Sequence, residues 1–173
     1  PGAWRRGRVL GAEWEKNLAA IVQDGPLDLI CFTGDLVQAG KPNEYAALTT
    51  FVDDLLARTG VARERLFVVP GNHDIDRSLA KTAWKQLRAL GETEAEALSR
   101  WMAGERAPPR LRKNYCDEIL QRQGAYRAWV RDGLRRPELL PTPGQHPRLG
   151  YRVSLRLPGR PFDVQVIGLD SAW

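Results

Sequence analysis

Two short apolar runs, each closed by a glycine-containing polar turn, constrain the fold of this chain most strongly. Residues 27–33 end at Gly34-Asp35, and residues 65–69 end at Pro70-Gly71. Runs of this length between turn residues are typical of strands buried on both faces of a parallel sheet. From Pro42 onward, the segment between them has apolar residues at helical spacing. This order predicts a βαβ unit in which both turns emerge at the same edge of one sheet.

The rest of the chain predicts amphipathic helices, a proline-rich loop and a β-hairpin. One helix is expected over residues 11–23, where apolar side chains recur on one face. Two or three more are expected within residues 78–136, separated near Gly91 and at Pro108-Pro109. The remaining elements are a loop over residues 135–147 and a hairpin with strands at 151–157 and 162–169.

Length and composition favour one ordinary globular domain. A chain of 173 residues can bury one sizeable core. It contains two cysteines, Cys31 and Cys116, which excludes a disulfide framework and a CxxC metal site. No run of about 18 apolar residues occurs, so no membrane span is expected. These features together predict a cytoplasmic protein.

The net charge of +5 is unevenly distributed along the chain. Residues 1–76 carry 11 acidic against 8 basic side chains, whereas residues 77–145 carry 8 acidic against 14 basic ones. An acidic pocket suits cations, and a basic surface beside it would attract phosphate esters or nucleic acid. The plainer interpretation is that the basic side chains solvate helix faces.

The polar residues that follow the two strands form a candidate metal site. Asp35 comes directly after the first strand, and Asn72 and His73 follow the second. Ligands of open α/β sheets bind at the carboxyl ends of the strands. Carboxylate, amide and imidazole groups are ligands that Mn, Fe or Zn accept.

These two turns resemble two metal-site motifs of the calcineurin-like metallophosphoesterases. Gly34-Asp35 is similar to the Gly-Asp motif of that family, and Gly71-Asn72-His73-Asp74 is similar to its Gly-Asn-His-(Asp/Glu) motif. The strand that leads into Leu169-Asp170-Ser171 also resembles a later strand of bacterial members. The resemblance implies an α/β fold with a metallophosphoesterase-like β-sandwich core, flanked by helices and carrying a helical insertion over about residues 77–149.

The resemblance also implies roles for four residues. Asp35 would bridge two divalent metal ions, of which Mn, Fe or Zn are expected, and Asn72 would bind the second ion. His73 would contact the phosphate and assist the leaving group, and Asp74 would orient His73. Two such cations lower the pKa of a bridging water that attacks phosphorus in line, and an imidazole protonates the departing alkoxide.

Three motifs of the family are not found in this sequence: an Asp-x-His, a lone His and a Gly-His-x-His. The two histidines are His73 and His146, and His146 precedes the position expected for the lone His. The sequence also begins without Met. We therefore expect a piece of a longer protein, with the missing motifs upstream of Pro1 and downstream of Trp173. For the chain by itself we expect weak metal binding and little turnover.

Metal-dependent hydrolysis of a phosphoester is the leading functional prediction. A phosphodiester, nucleotide or cyclic nucleotide is the first candidate substrate. One alternative is a catalytically degenerate or truncated member of the family that serves as a binding or regulatory module. A second alternative is a nucleic-acid-binding domain that uses the basic segment, in which case affinity would fall steeply with salt.

Several residues have a structural interpretation beside the functional one. Asp35 by itself is also typical of a turn or an N-cap. Asp76 and Arg77 lie close enough to the second turn to reach a substrate, but also suit a surface ion pair. His146 is expected in an ordinary loop, and Asp170-Ser171 is expected to shape a turn without binding metal.

Overall fold

The computed structural model describes residues 11–102, 105, 115–141, 150–157 and 159–172. Its helices are α1 (Gly11–Asp24), α2 (Pro42–Thr59), α3 (Lys81–Thr93), α4 (Ala95–Met102), α5 (Tyr115–Gln121) and α6 (Gly124–Ala128). Its strands are β1 (Ile30–Phe32), β2 (Leu66–Val68), β3 (Gly150–Arg156) and β4 (Asp163–Leu169). Shorter helical turns span Arg63–Arg65, Trp129–Gly133 and Pro137–Leu139. The fold is therefore of the mixed α/β class.

The predicted βαβ unit is present. β1 and β2 pair in parallel, with Ile30 opposite Leu66, and α2 connects them. The Glu44 carboxylate accepts a hydrogen bond from the Lys41 N–H at 2.9 Å, which satisfies a free donor at the start of α2. At its end, Gly60 takes a left-handed conformation with φ of 68°, which a helix C-terminus commonly requires.

β1 is shorter and more exposed than predicted. The apolar run at 27–33 pairs over only three residues, and Cys31 at the centre of β1 is exposed. β2, in contrast, is buried at all three positions. In the described part of the chain β1 pairs only with β2, which leaves part of its surface in contact with solvent.

The predicted hairpin is also present, as a separate antiparallel sheet of β3 and β4. Gly150 lies opposite Leu169, and Arg156 lies opposite Asp163. Side chains of both strands pack against the main hydrophobic core. In addition, the Tyr151 hydroxyl donates a hydrogen bond to the Val68 carbonyl at 3.0 Å, so the hairpin is attached to β2.

The basic middle segment is helical, and it contributes to two hydrophobic cores. α3, α4 and α5 bury their apolar faces in a cluster of their own, which includes Leu87, Trp101 and Ile119. α6 and the turn after it instead place Tyr126 and Trp129 in the main core, together with α2 and β2. The four described helices exceed the two or three that the periodicity predicts.

The predicted helix break near Gly91 is present but lies three residues later. Gly91 lies within α3, and the break falls at Glu94. A Cβ at position 91 would lie 3.3 Å from Leu98 Cδ2, so the glycine allows α4 to pack closely. The predicted break at Pro108-Pro109 falls outside the described residues, as do residues 142–147 of the predicted loop.

None of the described helices combines the length and the apolar character required to cross a bilayer.

Candidate functional site

The first turn of the site has an unusual backbone conformation. Gly34 has φ of 117°, and Asp35 has φ of 55°. Residues other than glycine seldom adopt the left-handed region, although Asp and Asn do so more readily than others. This conformation brings the Asp35 side chain to the second turn, where its Oδ1 accepts a hydrogen bond from the His73 N–H at 3.0 Å.

The fully buried carboxylate of Asp74 holds the two turns together. Within its own turn it accepts a hydrogen bond from the Gly71 N–H at 2.8 Å. From the first turn it accepts hydrogen bonds from Leu36 N–H at 3.1 Å and Val37 N–H at 3.2 Å. The Tyr45 hydroxyl of α2 adds a longer contact at 3.4 Å. One side chain thus satisfies donors from both turns and from the connecting helix.

The backbones of the two turns are also in direct contact. A Cβ at Gly34 would lie 2.7 Å from the Gly71 Cα and 2.8 Å from the Gly71 nitrogen. Side chains at this position would force the turns apart, because real Cβ atoms do not approach so closely. The spacing between Asp35 and the Asn72-His73 pair is therefore set by backbone packing.

The side-chain amide of Asn72 lies between Asp35 and Arg77. Its nitrogen donates a hydrogen bond to Asp35 Oδ1 at 3.1 Å, and its oxygen accepts one from Arg77 Nη2 at 2.6 Å. Asn72 therefore links the carboxylate of the first turn to the guanidinium that follows the second turn.

The ring of His73 is oriented by a backbone carbonyl. Its Nδ1 lies 2.9 Å from the carbonyl oxygen of Gln38. A carbonyl only accepts hydrogen bonds, so Nδ1 carries a proton in this contact. Nε2 is then the ring atom that remains for a ligand or for a second proton.

A family model described as calcineurin-like phosphoesterase matches residues 12–145, which is more than half of the chain. The chain belongs to the calcineurin-like phosphoesterase family. Members of this family are, as a rule, phosphoester hydrolases that bind divalent metal ions. The match includes most of the helical segment at 77–149 and stops before the hairpin. The searches of curated proteins and of solved structures found no match.

The donor groups at the two turns fit a divalent metal ion in chemistry. Asp35 offers a carboxylate, and Asn72 offers a side-chain amide that lies 3.1 Å from it. Oxygen donors of this kind suit hard and borderline cations. Among the described residues, however, no group of three or more His, Cys, Asp or Glu side chains lies close enough to hold an ion.

The contacts of Asp74 differ from those that the family resemblance implies. Its recorded hydrogen bonds hold Leu36, Val37 and Gly71, while the ring of His73 contacts Gln38. Burial raises the pKa of Asp74, and the backbone N–H donors act in the opposite direction. Asp74 therefore shapes the site through the backbone of both turns.

The two charged residues after the second turn have different surroundings. Asp76 forms the expected ion pair, with Lys41 Nζ at 2.6 Å, and this contact lowers the pKa of Asp76 to about 2. Arg77 instead remains at the site, where its Nη2 donates to the Asn72 main-chain oxygen at 3.1 Å. Arg77 thus contacts a residue of the candidate site directly.

Asp170 lies in a turn, as predicted. Its Oδ1 accepts a hydrogen bond from the Ala172 N–H at 3.0 Å, and its Oδ2 accepts one from the buried Gln123 amide at 2.8 Å. Burial raises the pKa of Asp170. His146, for which a loop position is predicted, lies outside the described residues.

A cavity of about 400 Å³ opens beside Asp35. It is lined mainly by apolar side chains of α1, β1 and α2, including Trp14, Phe32 and Phe51. Asp35 and Thr59 are its polar side chains, while Asn72 and His73 do not line it. The cavity therefore reaches the candidate site at Asp35 and is otherwise mainly apolar.

Three contributors to the site have no clear signal in the sequence. In the sequence, Tyr45 occupies an ordinary apolar position of a helix, although its hydroxyl contacts Asp74. Gln38 orients the His73 ring through its backbone carbonyl, which a pattern of side chains cannot predict. Arg122 belongs to a separate helical segment, and its main-chain oxygen accepts a hydrogen bond from the Asp76 N–H at 2.8 Å.

Proposed function

We propose that this chain forms part of a metal-dependent phosphoester hydrolase whose site is built on Asp35, Asn72 and His73. The observation that carries the proposal is the contact between the side chains of Asp35 and Asn72, which lie 3.1 Å apart where the two parallel strands end. A carboxylate and an amide this close can both offer oxygen ligands to a cation when the amide oxygen turns toward the carboxylate. Family membership and the position at the carboxyl ends of parallel strands support it.

In this proposal Asp35 and Asn72 would help to hold a dinuclear metal centre. Mn, Fe and Zn are the candidate ions. When bound, such ions neutralise phosphate oxygens and lower the pKa of coordinated water. Since two ligands cannot fill two coordination spheres, further ligands are required from groups outside the described residues.

His73 is proposed as the proton donor to the leaving group. The Gln38 carbonyl holds its ring through Nδ1, which leaves Nε2 to carry the transferred proton when the ring is positively charged. A proton held at Nε2 can pass to the departing alkoxide oxygen and so avoid release of a strongly basic anion. Asp74 is proposed as a positioning residue, since it fixes the turns that carry Asp35 and His73.

The proposed substrate is a phosphodiester, with a nucleotide or cyclic nucleotide as the first candidate class. The apolar cavity beside Asp35 would accept an uncharged part of such a molecule. The family alone supports a phosphoester, and the narrower choice rests on the sequence resemblance.

Manganese binding and hydrolysis of bis-p-nitrophenyl phosphate by the chain extended at both ends test the proposal. Asp35→Asn is the sharpest variant, because Asn tolerates the left-handed backbone and keeps an oxygen for the His73 N–H. Asp132→Asn is the matched control, since it removes the same charge from an exposed ion pair with Arg131. Binding and activity should fall in Asp35→Asn, activity should fall in His73→Ala, and neither should change in Asp132→Asn. Equal manganese uptake by Asp35→Asn would refute the metal role.

A second candidate function is a family member that binds ligands or partners without turnover. It is favoured by the finding that the described residues contain no group of three or more metal-ligating side chains. Under this alternative, the folded protein would bind phosphate or a partner but would not hydrolyse the ester at any manganese concentration. The nucleic-acid-binding alternative predicts metal-independent binding that weakens steeply as salt rises.

A further inference from the structure

The hydroxyl of Tyr126 is a buried polar group that has no hydrogen-bond partner among the described residues. Only 2% of this residue is exposed, and its ring lies in the main core, with its centre 6.3 Å from that of the Trp129 ring. The ring gains from this packing, but the O–H at its tip normally finds a partner when a tyrosine is buried. Without one, the hydroxyl destabilises the folded state, because its contact with bulk water is lost and not replaced.

Tyr126 lines a small cavity where three parts of the fold meet. The end of β2, the region of α6 and the hairpin contribute, among others, Val69, Pro70, Gln123, Tyr126, Tyr151 and Asp170. The volume of the cavity is about 10 Å³. A polar cavity of about 10–15 Å³, measured with a water-sized sphere, is large enough to hold one water molecule. The size of this cavity therefore admits water and excludes an organic ligand.

Asp170 supplies a fixed hydrogen-bond acceptor at this cavity. The Gln123 amide donates to its Oδ2 at 2.8 Å, and the Ala172 N–H donates to its Oδ1 at 3.0 Å. These two donors hold the carboxylate from the helical segment and from its own turn. Each carboxylate oxygen has two lone pairs, so the group can accept a further hydrogen bond.

Tyr151 supplies a second acceptor. Its hydroxyl donates to the Val68 carbonyl at 3.0 Å, which leaves the oxygen able to accept a hydrogen bond. Burial raises the pKa of Tyr126, and the nearby groups of Tyr151 and Asp170 raise it further. Around the cavity there are thus one donor, from Tyr126, and two acceptors. A buried water molecule typically makes about three hydrogen bonds, which these groups can supply.

We propose that one ordered water molecule occupies this cavity, where it accepts a hydrogen bond from the Tyr126 hydroxyl and donates to Asp170 and Tyr151. The water connects α6 to the hairpin beside Pro70, the residue that precedes the glycine of the second turn. It satisfies the buried hydroxyl and so stabilises the contact between the helical segment and the hairpin. The site goes beyond the proposed hydrolase function, because neither a metal ion nor a substrate takes part in it.

The direction in which Tyr126→Phe changes stability tests the proposal. Phe keeps the ring beside Trp129 and removes only the hydroxyl. With the water in place, the variant loses a hydrogen bond, and we expect the folding equilibrium constant to fall about fivefold, equivalent to about 1 kcal/mol. In a dry cavity the same change removes an unsatisfied hydroxyl, so the variant would be as stable as the unchanged protein or more stable.

Urea denaturation of the full chain at neutral pH gives this equilibrium constant. Tyr151→Phe is the matched control, because its hydroxyl donates directly to the Val68 carbonyl. The control should lose stability whether or not the water is present, which shows that the assay detects the loss of one buried hydroxyl. Unchanged or increased stability of Tyr126→Phe, beside a destabilised Tyr151→Phe, would overturn the proposal.

A high-resolution crystal structure of the full chain locates the water directly. We expect density for one water molecule within hydrogen-bond distance of the Tyr126 hydroxyl oxygen and of the Asp170 carboxylate. A direct hydrogen bond from Tyr126 to a protein group would also make Tyr126→Phe less stable, so the crystal structure decides between these two causes. A Tyr126 hydroxyl that donates to a protein acceptor, or a cavity without density for water, would overturn the proposal. Both measurements are made without metal, so their outcome is independent of the hydrolase proposal.

Discussion

Replacement of Asp74 by Asn should destabilise the protein strongly, although the two side chains have the same shape. The carboxylate accepts from Gly71 N–H through Oδ2 and from Val37 N–H through Oδ1, and Leu36 N–H lies 3.1 Å from both oxygens. An amide keeps only one acceptor oxygen. Whichever way it turns, its NH₂ group faces at least one buried backbone donor.

The magnitude follows from the donors that lose their acceptor. A buried unsatisfied N–H costs about 1–3 kcal/mol, and hydrogen bonds to a charged acceptor contribute about 1.5–3 kcal/mol each. Relief of the buried negative charge offsets part of this loss, since burial raises the pKa of Asp74. We expect Asp74→Asn to lower the free energy of unfolding by about 2–4 kcal/mol.

Urea denaturation at neutral pH measures this difference directly. Asp132→Asn serves as the control, because Asp132 lies in an exposed ion pair and its replacement should leave the midpoint unchanged. A loss of less than about 1 kcal/mol in Asp74→Asn would refute the reasoning. It would mean that the backbone of the two turns holds its geometry without this carboxylate.

Two further predictions concern the same region. Gly34→Ala should lower the free energy of unfolding by about 3 kcal/mol or more, because it adds a Cβ 2.7 Å from the Gly71 Cα at a φ of 117°. Gly60→Ala is the control, because the space around Gly60 is open. It should lower the free energy of unfolding by only about 1 kcal/mol in the same denaturation assay. Equal costs would exclude the contact between the turns as the cause. Asp76→Asn should lose about 1 kcal/mol of stability at neutral pH, after allowance for the solvent-screened Lys41. Because the pKa of Asp76 is lowered to about 2, the stability difference between the unchanged protein and Asp76→Asn should be full above about pH 4 and should vanish as the pH falls through 2. A stability difference that persists below pH 2 would contradict the ion-pair explanation.

Local patterns of the sequence predict the βαβ unit and the hairpin because each depends on near neighbours. The apolar run before Pro70-Gly71 predicts a buried strand, and β2 is buried throughout. The same reasoning fails for the burial of β1, since exposure of Cys31 depends on which elements lie beside the strand. It places the break near Gly91 three residues too early, because α3 continues through the glycine, which packs against Leu98.

The candidate site is predictable only in part, for a similar reason. Asp35, Asn72 and His73 are recognisable from their places after strands, and the structure brings these three together. The acceptor that orients His73 is a backbone carbonyl, and the partners of Asp74 are backbone N–H groups. Backbone groups are present in every residue, so neither interaction can be recognised from the amino-acid sequence. Arg122 accepts a hydrogen bond from the Asp76 N–H although the two residues are far apart in the sequence, so only the tertiary fold reveals this contact.

The helical cluster of α3, α4 and α5 has a consequence for how the molecule opens. It has its own core, built from a different stretch of chain from that around β2. Units of this kind often unfold locally while the remainder stays native. Arg122 and Gln123 lie between α5 and α6 and so connect the two units. A local opening of the cluster would therefore break the hydrogen bond from the Asp76 N–H to the Arg122 carbonyl and leave Asp35 and Asn72 in place. The two strand-end turns would remain assembled while these helices are open.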